Sequence, residues 1–363
     1  MRIVFTIIIG INGIIHLFGF LKAFGITEFK AISEPISKPF GIIWLTVFIL
    51  FTAIAILFLK RYKYWWAIGI STVFLSQFLL ITCWSDAKFG TILNFLILVS
   101  AIIGYSTFSF NHKVNAETTQ MFLDSQTLQK NIVSEQMIVD LPSTVQNWLL
   151  NSGMVGKAII KSVFLEQDLQ LLMKPEQKAW STAKAKQHFT IEPPAFNWLV
   201  SLKMNPLMQV VGRDKFENGK GTMTIKLFSL IPIINARNNK KVNQATLQRY
   251  LAEIVWFPSA ALSPYITWDA IDDHSANATM TYHGTKGSGI FHFDENGNFK
   301  KFIAMRYKDA NHTEPTEWKV TAIKTEVRNG IKIPVESSAD WKLEQGNWTW
   351  LKLKITNIAY NLK

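Results

Sequence analysis

The chain has 363 residues, 48% of them hydrophobic, and carries 38 Lys and Arg against 26 Asp and Glu, a formal net charge of +12. A nucleic-acid binder would gather such an excess into one basic stripe. Here the lysines are interleaved with acids and are densest only at 60–63 and 238–241, so the charge fits solvated loops and anionic lipid headgroups, with no nucleic-acid partner. Cys83 is the only cysteine, which excludes an intrachain disulfide and a thiolate metal site.

Residues 3–21, 39–59, 64–85 and 89–111 contain no Asp, Glu, Lys or Arg. Each has about the 20 residues that cross roughly 30 Å of hydrocarbon as a helix, and only closed backbone hydrogen bonding is tolerated there. The pattern therefore predicts an α-helical membrane domain of four transmembrane helices over 1–111. The first run is too long for a cleaved signal, and GFLKAFG after it offers no small-residue cleavage site.

Asn12 and His16 are four apart and share a helix face. A polar pair facing lipid is costly, so this face is expected to point into the bundle. Gly10, Gly13 and Gly19 permit close helix approach. The pair either glues helices together or lines a quinone, proton or small-molecule site with Gln77, Asp86 and Lys88. Residues 22–38 form a loop containing Glu28 and Lys30, and the KRYK turn at 60–63 is followed by an aromatic belt. Four spans put the 60–63 turn and the remainder of the chain on one side. Arg2, Lys60, Arg61, Lys63 and Lys113 lie there, against Lys22, Lys30, Lys38 and Lys88 opposite, and the tight basic turn assigns that side to the cytoplasm of a bacterial inner (plasma) membrane.

HLFGFLKAFG in the first helix and SDAKFGTILN leading into the fourth resemble the membrane half of a bacterial membrane-protein family with no assigned activity. In that family a compact four-helix unit, similar to DoxX-type proteins, precedes a domain of unknown function. The resemblance implies a membrane protein. Through DoxX relatives it also implies a link to redox and quinone chemistry, without any matching catalytic residue.

Residues 112–138 are polar and mixed, and read as a partly helical linker close to the membrane. The soluble domain follows over 139–363. Val145, Trp148 and Leu149 form a helical stripe between Pro142 and Gly153. From about 157 the period changes to two, with strands at 159–173, 179–191, 195–204 and 221–228. Further strands fall at 266–271, 276–283, 289–294, 299–307, 318–327, 332–343 and 348–359, and DENGN and EQGN are hairpin turns. No Gly-rich crossover occurs, so a mainly antiparallel sheet is expected. FSLIPII at 228–234 is a lid, a membrane-dipping segment or a core strand. One helix interrupts the series: NQATLQRYLAEIVWFPSAAL puts Leu247, Tyr250, Leu251, Ile254 and Val255 on one stripe, with Asn243 as cap. A lone helix beside some eleven strands predicts a curved sheet or half-barrel around a helix, an architecture analogous to the Lol lipoprotein carriers. LPSTVQNWLLNSGMVG, GRDKFENGKGTM, RYLAEIVWFPSAAL and ITWDAID resemble the soluble half of the same family, which assigns them no catalytic role.

HExxH, CxxC, GxSxG, P-loop and Rossmann patterns are all missing, which argues against a familiar hydrolase or nucleotide enzyme. His283, His292 and Asp294 read as polar residues of a half-buried sheet more readily than as a metal site. Asp269, Asp272 and Asp273 read as turn chemistry. Arg249 and Glu253 are four apart with Tyr250 and Trp256 nearby, and Asp214 sits in GRDKFENGKG. As a ligand-binding set these five would place Arg249 at a cavity mouth, against a carboxylate or anionic headgroup. As structure they are an ion pair and a turn. The reading is a membrane-anchored protein binding a lipid or other hydrophobic small molecule, with no cofactor and no metal. A quinone-linked enzyme in the helices and a protein-interaction module are the alternatives.

Overall fold

The computed structural model describes residues 2–27, 33–125, 131–204 and 208–362. Glu28 and Lys30 of the predicted loop, and 126–130 of the predicted linker, lie outside the described residues. The chain divides into two compact units, Met1–His112 with Phe228–Leu230, and Lys113–Leu227 with Ile231–Lys363.

Helices α1 (Arg2–Ala23), α2 (Lys38–Leu59), α3 (Trp65–Thr82) and α5 (Gly90–Asp124) are long and apolar enough to span a membrane, and α4 (Trp84–Ala87) is a single turn between α3 and α5. All belong to the first unit except α5 from Lys113 on, which belongs to the second. Pro39 stands in the first turn of α2, where its missing N–H breaks no helical bond. The burial pattern is inverted relative to a water-soluble bundle. Ile3 and Ile7 are 68% and 54% exposed while Asn12, His16 and Ser76 are fully buried. Apolar side chains outside and polar ones inside are what a hydrocarbon solvent selects. A Cβ at Gly19 would fall inside the Trp44 ring, so α1 and α2 approach closely only because that position has no side chain.

The second unit is one sheet. Among the described residues, thirteen strands run in the order β6-β5-β4-β3-β2-β1-β13-β12-β11-β10-β9-β8-β7. They are β1 (Ser162–Leu171), β2 (Ser181–Thr190), β3 (Ala195–Lys203), β4 (Gln209–Glu217), β5 (Lys220–Leu227), β6 (Ile231–Ala236) and β7 (Ile266–Asp272). The rest are β8 (Ser275–Tyr282), β9 (Thr285–Phe293), β10 (Phe299–Arg306), β11 (Thr316–Arg328), β12 (Ile331–Leu343) and β13 (Gly346–Tyr360). Every pairing is antiparallel, and only β1 with β13 joins strands distant in sequence. The expected antiparallel half-barrel is therefore present, with two strands more than the sequence suggested. Residues 209–217 form β4, and 231–234 of the ambiguous apolar segment open the edge strand β6 (231–236), whose Pro232 suits an edge.

The sheet curls until strands far apart in its order meet. Asn218 and Gly219 make the β4–β5 turn with φ of 50° and 71°. Thr285, at the start of β9, donates its Oγ1 to the Gly219 carbonyl at 2.6 Å. A Cβ on Gly219 would strike the Tyr282 carbonyl, so this contact requires glycine. The helix α7 (Lys240–Glu253) runs inside the curl, seated on β5 at Gly221 and on β9 at Gly287, where a Cβ would meet Thr246 and Gln248. Its cap is Asn239 rather than Asn243: Asn239 Oδ1 accepts from the Lys241 and Val242 N–H groups. Asn243 Oδ1 instead accepts from the Gly221 N–H. Two 3₁₀ turns, Ile254–Trp256 and Pro258–Leu262, continue the plug, and the short helix α6 (Ser143–Asn151) adds Val145, Trp148 and Leu149 to the same core. Phe189, Phe196, Phe216, Tyr250, Phe257, Phe291 and Phe302 are each buried there. At about 1.5–3 kcal/mol per large side chain, these rings dominate the burial energy of the domain.

On the outer face, the last turns of α5 lie over β2–β4. Glu117 grips Arg213 with two bonds, 3.0 and 2.9 Å, and Asn197 Nδ2 reaches Thr118 Oγ1 at 3.2 Å. That cover explains why Asn197 and Arg213, whose side chains point away from the core, are buried.

Candidate ligand-binding face

Strand alternation puts Gln167, Gln187, Trp198 and Asp214 on the inner face beside α7. Arg249 of α7 donates from Nη1 to Asp214 Oδ2 at 2.7 Å and from Nε to Glu253 Oε1 at 2.8 Å. Its guanidinium lies 4.6 Å from the Trp198 ring and 5.1 Å from Phe196. The chain of bonds continues outward: Gln187 donates to Glu253 at 2.8 Å, Gln167 to Gln187 at 3.4 Å, and Trp198 Nε1 to Gln167 at 2.9 Å. Burial works against the Arg249 charge, but Glu253 and Asp214 outweigh it and hold its pKa above the usual value. Burial raises Glu253 despite the opposing pull of Arg249. Tyr250 donates its hydroxyl to the Thr190 carbonyl at 3.0 Å, and Trp256 Nε1 donates to Pro334 at 3.0 Å. Of the five residues singled out from the sequence, Arg249, Asp214 and Glu253 thus come together, while Tyr250 and Trp256 turn into the core, and the polar side-chain groups of all five bond to the protein itself.

A second cation sits further along the same face. Arg306, at the end of β10, donates from Nε to the Ala245 carbonyl of α7 at 2.9 Å. Its guanidinium carbon stands 4.5 Å from the Trp318 ring and 5.7 Å from Trp341. No carboxylate comes within ion-pair distance, and both Nη groups lack a protein acceptor among the described residues. Burial pulls its pKa down to about 10, with Asp214 and Glu253 opposing and Arg249 adding to the fall, so it stays charged at neutral pH. Buried polar atoms are unpaired close by at Trp318 Nε1 and Gln248 Oε1, and further along the sheet, on β13, at Nε1 of Trp348 and Trp350. A buried indole N–H ordinarily finds a partner. Gln248 is anchored through its amide nitrogen to the Ser288 and Met305 carbonyls, next to Arg306. Cross-strand register makes Trp318, Trp341 and Trp348 neighbours on β11, β12 and β13.

Beyond these indoles the inner face is apolar. Leu169, Leu171, Ala183, Ala185, Val200 and Leu202 form a buried cluster. Ile225, Leu227, Val320, Leu351 and Leu353, on the same face, stay half-buried. A trough of about 700 Å³ opens near these strands, but its lining includes Asp168, Lys184, Glu336 and Lys354, whose side chains point to the opposite, outer face. Two cross-strand ion pairs, Lys184–Asp168 and Lys354–Glu336, neutralise much of that lining.

Of the expected membrane cluster, Asn12, His16 and Gln77 come together. Asn12 Nδ2 donates to Asn94 Oδ1 at 2.9 Å, Asn94 to Gln77 at 3.1 Å, and Gln77 to Thr91 at 3.1 Å. His16 Nδ1 lies 2.7 Å from the Asn12 carbonyl, which only accepts, so Nδ1 carries a proton. Nε2 lies 2.8 Å from Ser76 Oγ, whose single proton serves either Nε2 or Asn94 Oδ1, 3.0 Å away. Asp86 lies elsewhere, accepting from the Ser33 and Glu34 N–H groups at 2.6 and 3.1 Å, and Lys88 stands over Phe89. Among the described residues no three His, Cys, Asp or Glu side chains group as metal ligands. His283 is a turn residue with φ of 45°, and Asp294 accepts from the Asn296 and Asn298 N–H groups of its hairpin.

Sequence reasoning missed Arg306 and Gln248. The available signal was alternation: Phe302, Ala304 and Arg306 occupy successive inward positions, and a charge at the third stands out on an apolar register.

These features define a class: a membrane-helix unit joined to an antiparallel half-barrel wrapped around one helix. Residues 139–360 match the model of a family of unknown function, DUF6920, and the chain belongs to that family. Comparison with curated proteins gave no match. Among solved structures it is similar to a DUF1329 family protein from Desulfovibrio piger, at 8% identity and TM-score 0.36, covering 61% of this chain and 92% of that one. It is also similar to a LolA superfamily protein from Nitrosomonas europaea, at 9% identity and TM-score 0.32, covering 61% and 96%.

Proposed function

We propose that this protein is a membrane-anchored binding module whose half-barrel receives a lipid or another elongated hydrophobic molecule along its inner face. The observation that carries the reading is the apolar stretch of that face beyond α7. Leu351, Leu353, Ile225, Leu227 and Val320 remain half-buried there, on a chain with four membrane-spanning helices that would keep the domain beside a lipid reservoir. An exposed apolar wall inside a curved sheet is a normal setting for a hydrophobic ligand. The Arg249–Asp214–Glu253 triad is read as the tie that fixes α7 against this wall. The Asn12–His16–Ser76–Asn94 network is read as interhelical glue, because its members bond chiefly to one another. The domain is assigned to the cytoplasmic side, on the strength of Lys60, Arg61 and Lys63 in one tight turn.

The test is photolabelling of the full-length protein in zwitterionic nanodiscs with a diazirine-bearing fatty acid. Adducts on peptides containing Leu227, Leu351 or Leu353 are the expected result. Labelling confined to α1, α2, α3 and α5 would remove the reading.

A further inference from the structure

We propose that Arg306, with the indole N–H of Trp318 and the neighbouring Trp348 and Trp350, is an anchor for an acidic headgroup, so that the ligand is an anionic amphiphile with a carboxylate or phosphate-ester head. The inference rests on the binding reading above and names the ligand class.

The argument is one of unmet hydrogen-bonding capacity. The domain holds three arginines on buried or half-buried strand and helix positions, and two are paired with carboxylates. Arg213 has Glu117, and Arg249 has Asp214 and Glu253. Arg306 has one backbone carbonyl and two aromatic faces, which leaves a planar fork of donors without an acceptor. Three unpaired indole N–H groups add donors, one on the adjoining strand β11 and two on β13 beyond β12. Donors of this number and sign suit a group with several acceptor oxygens. A neutral alcohol or ester would satisfy fewer of them. The indole N–H groups are dry, which is costly, while the Arg306 Nη groups are not fully buried and so face an opening; a headgroup entering there would serve both.

A competing role for Arg306 is long-range charge balance. Arg249, Asp214 and Glu253 together carry one surplus negative charge, which Arg306 offsets. Balance at a distance needs no free Nη groups and no unpaired indoles, however, and it makes a different prediction. It would leave headgroup preference unchanged when Arg306 is replaced.

The position also fits an amphiphile. On β12 and β13 the indoles at Trp341, Trp348 and Trp350 are followed along the same face by Ala339, Leu351 and Leu353. A head held at Arg306 would therefore lay its chain along the half-buried wall.

Wild type, Arg306→Gln, Arg306→Lys and Trp318→Phe would be labelled as full-length chains in nanodiscs with two probes of equal length, a diazirine fatty acid and the corresponding diazirine fatty alcohol. In wild type the acid should label the wall peptides at lower concentration than the alcohol. In Arg306→Gln the acid's half-labelling concentration should rise about tenfold to a hundredfold, the range for losing hydrogen bonds to a charged group. Alcohol labelling should stay unchanged and so report an intact fold. Arg306→Lys should recover part of the preference, and Trp318→Phe, which keeps an aromatic face but loses the N–H with the fused pyrrole, should cost severalfold for the acid alone. If both probes label the wall equally in wild type and Arg306→Gln, the headgroup anchor is wrong and the binding module stands. If neither labels the wall in wild type, the binding module itself fails. Excess inorganic phosphate should not displace the acid; full displacement would mean a free anion, and would overturn the amphiphile.

Discussion

Two arginines, Arg249 on α7 and Arg306 on β10, illustrate how partner geometry decides a residue's role. Arg249 is bonded on both edges, so its removal strands Asp214 and Glu253 as buried carboxylates. Replacing Arg249 by Met should cost about 3–5 kcal/mol in denaturant unfolding of the β domain, the range for breaking a buried pair. The Arg249–Glu253 spacing was legible in the sequence, because four residues on a helix face one another. Asp214 as third member was legible only as a suspicion, because its partner lies 35 positions away. His188 offers a pH test. Burial between the Phe164 and Phe122 rings, with Lys186 adding to the effect, pushes its pKa down to about 4. The folded state therefore keeps the ring neutral where the unfolded chain, near 6.5, takes a proton. Stability is unaffected above about pH 6.5 and falls as pH drops from there toward 4, by up to roughly 3 kcal/mol. Melting curves of His188→Phe should lose that acid-limb slope, and an unchanged slope would show that another group titrates.

At the scale of elements, what could be read depended on whether an element answers to local pattern or to remote contact. The four apolar runs and most of the strands follow from charge depletion and alternation alone. Strand β4 was hidden because GRDKFENGK reads as turn chemistry. Its inward positions include Gly212 and Asp214, so the apolar alternation is broken where a Val200 side chain and Arg249 need the space. The edge strand β6 was ambiguous because its apolar residues are exposed, which gives no period. The Asn239 cap was missed for Asn243, since both asparagines sit at plausible offsets and only the bond from Gly221 decides between them. Helix packing makes a direct prediction. Gly19→Leu should force α1 away from Trp44, which the side chain would penetrate, and should lower the thermal stability of the detergent-solubilised protein. Gly10→Leu, at a position with open space around it, is the control and should leave stability nearly unchanged.

At the scale of the whole molecule, the two solvents of the chain select opposite surfaces, and that contrast makes the inner wall of the half-barrel conspicuous. The membrane helices bury Asn12, His16 and Ser76 and turn isoleucines outward, while the half-barrel buries its phenylalanines and turns lysines outward. The wall at Leu351 and Leu353 follows neither rule, since it is apolar, half-buried and inside a domain whose outer face is charged. Two leucines on this face separate packing from binding. Leu169 is 2% exposed and belongs to the buried cluster, so Leu169→Asn places an unpaired amide in the core and should destabilise by several kcal/mol, about 2–5 for the lost packing alone. Leu353, its cross-strand partner, is half-buried, so Leu353→Asn leaves the new amide in reach of water and should cost much less. If the wall is a ligand surface, Leu353→Asn should nevertheless weaken capture of a long-chain probe severalfold while the melting temperature barely moves. Equal losses of stability in the two variants, with no separate loss of capture, would mean that both leucines are simply core, and that the wall exists to hold the sheet together.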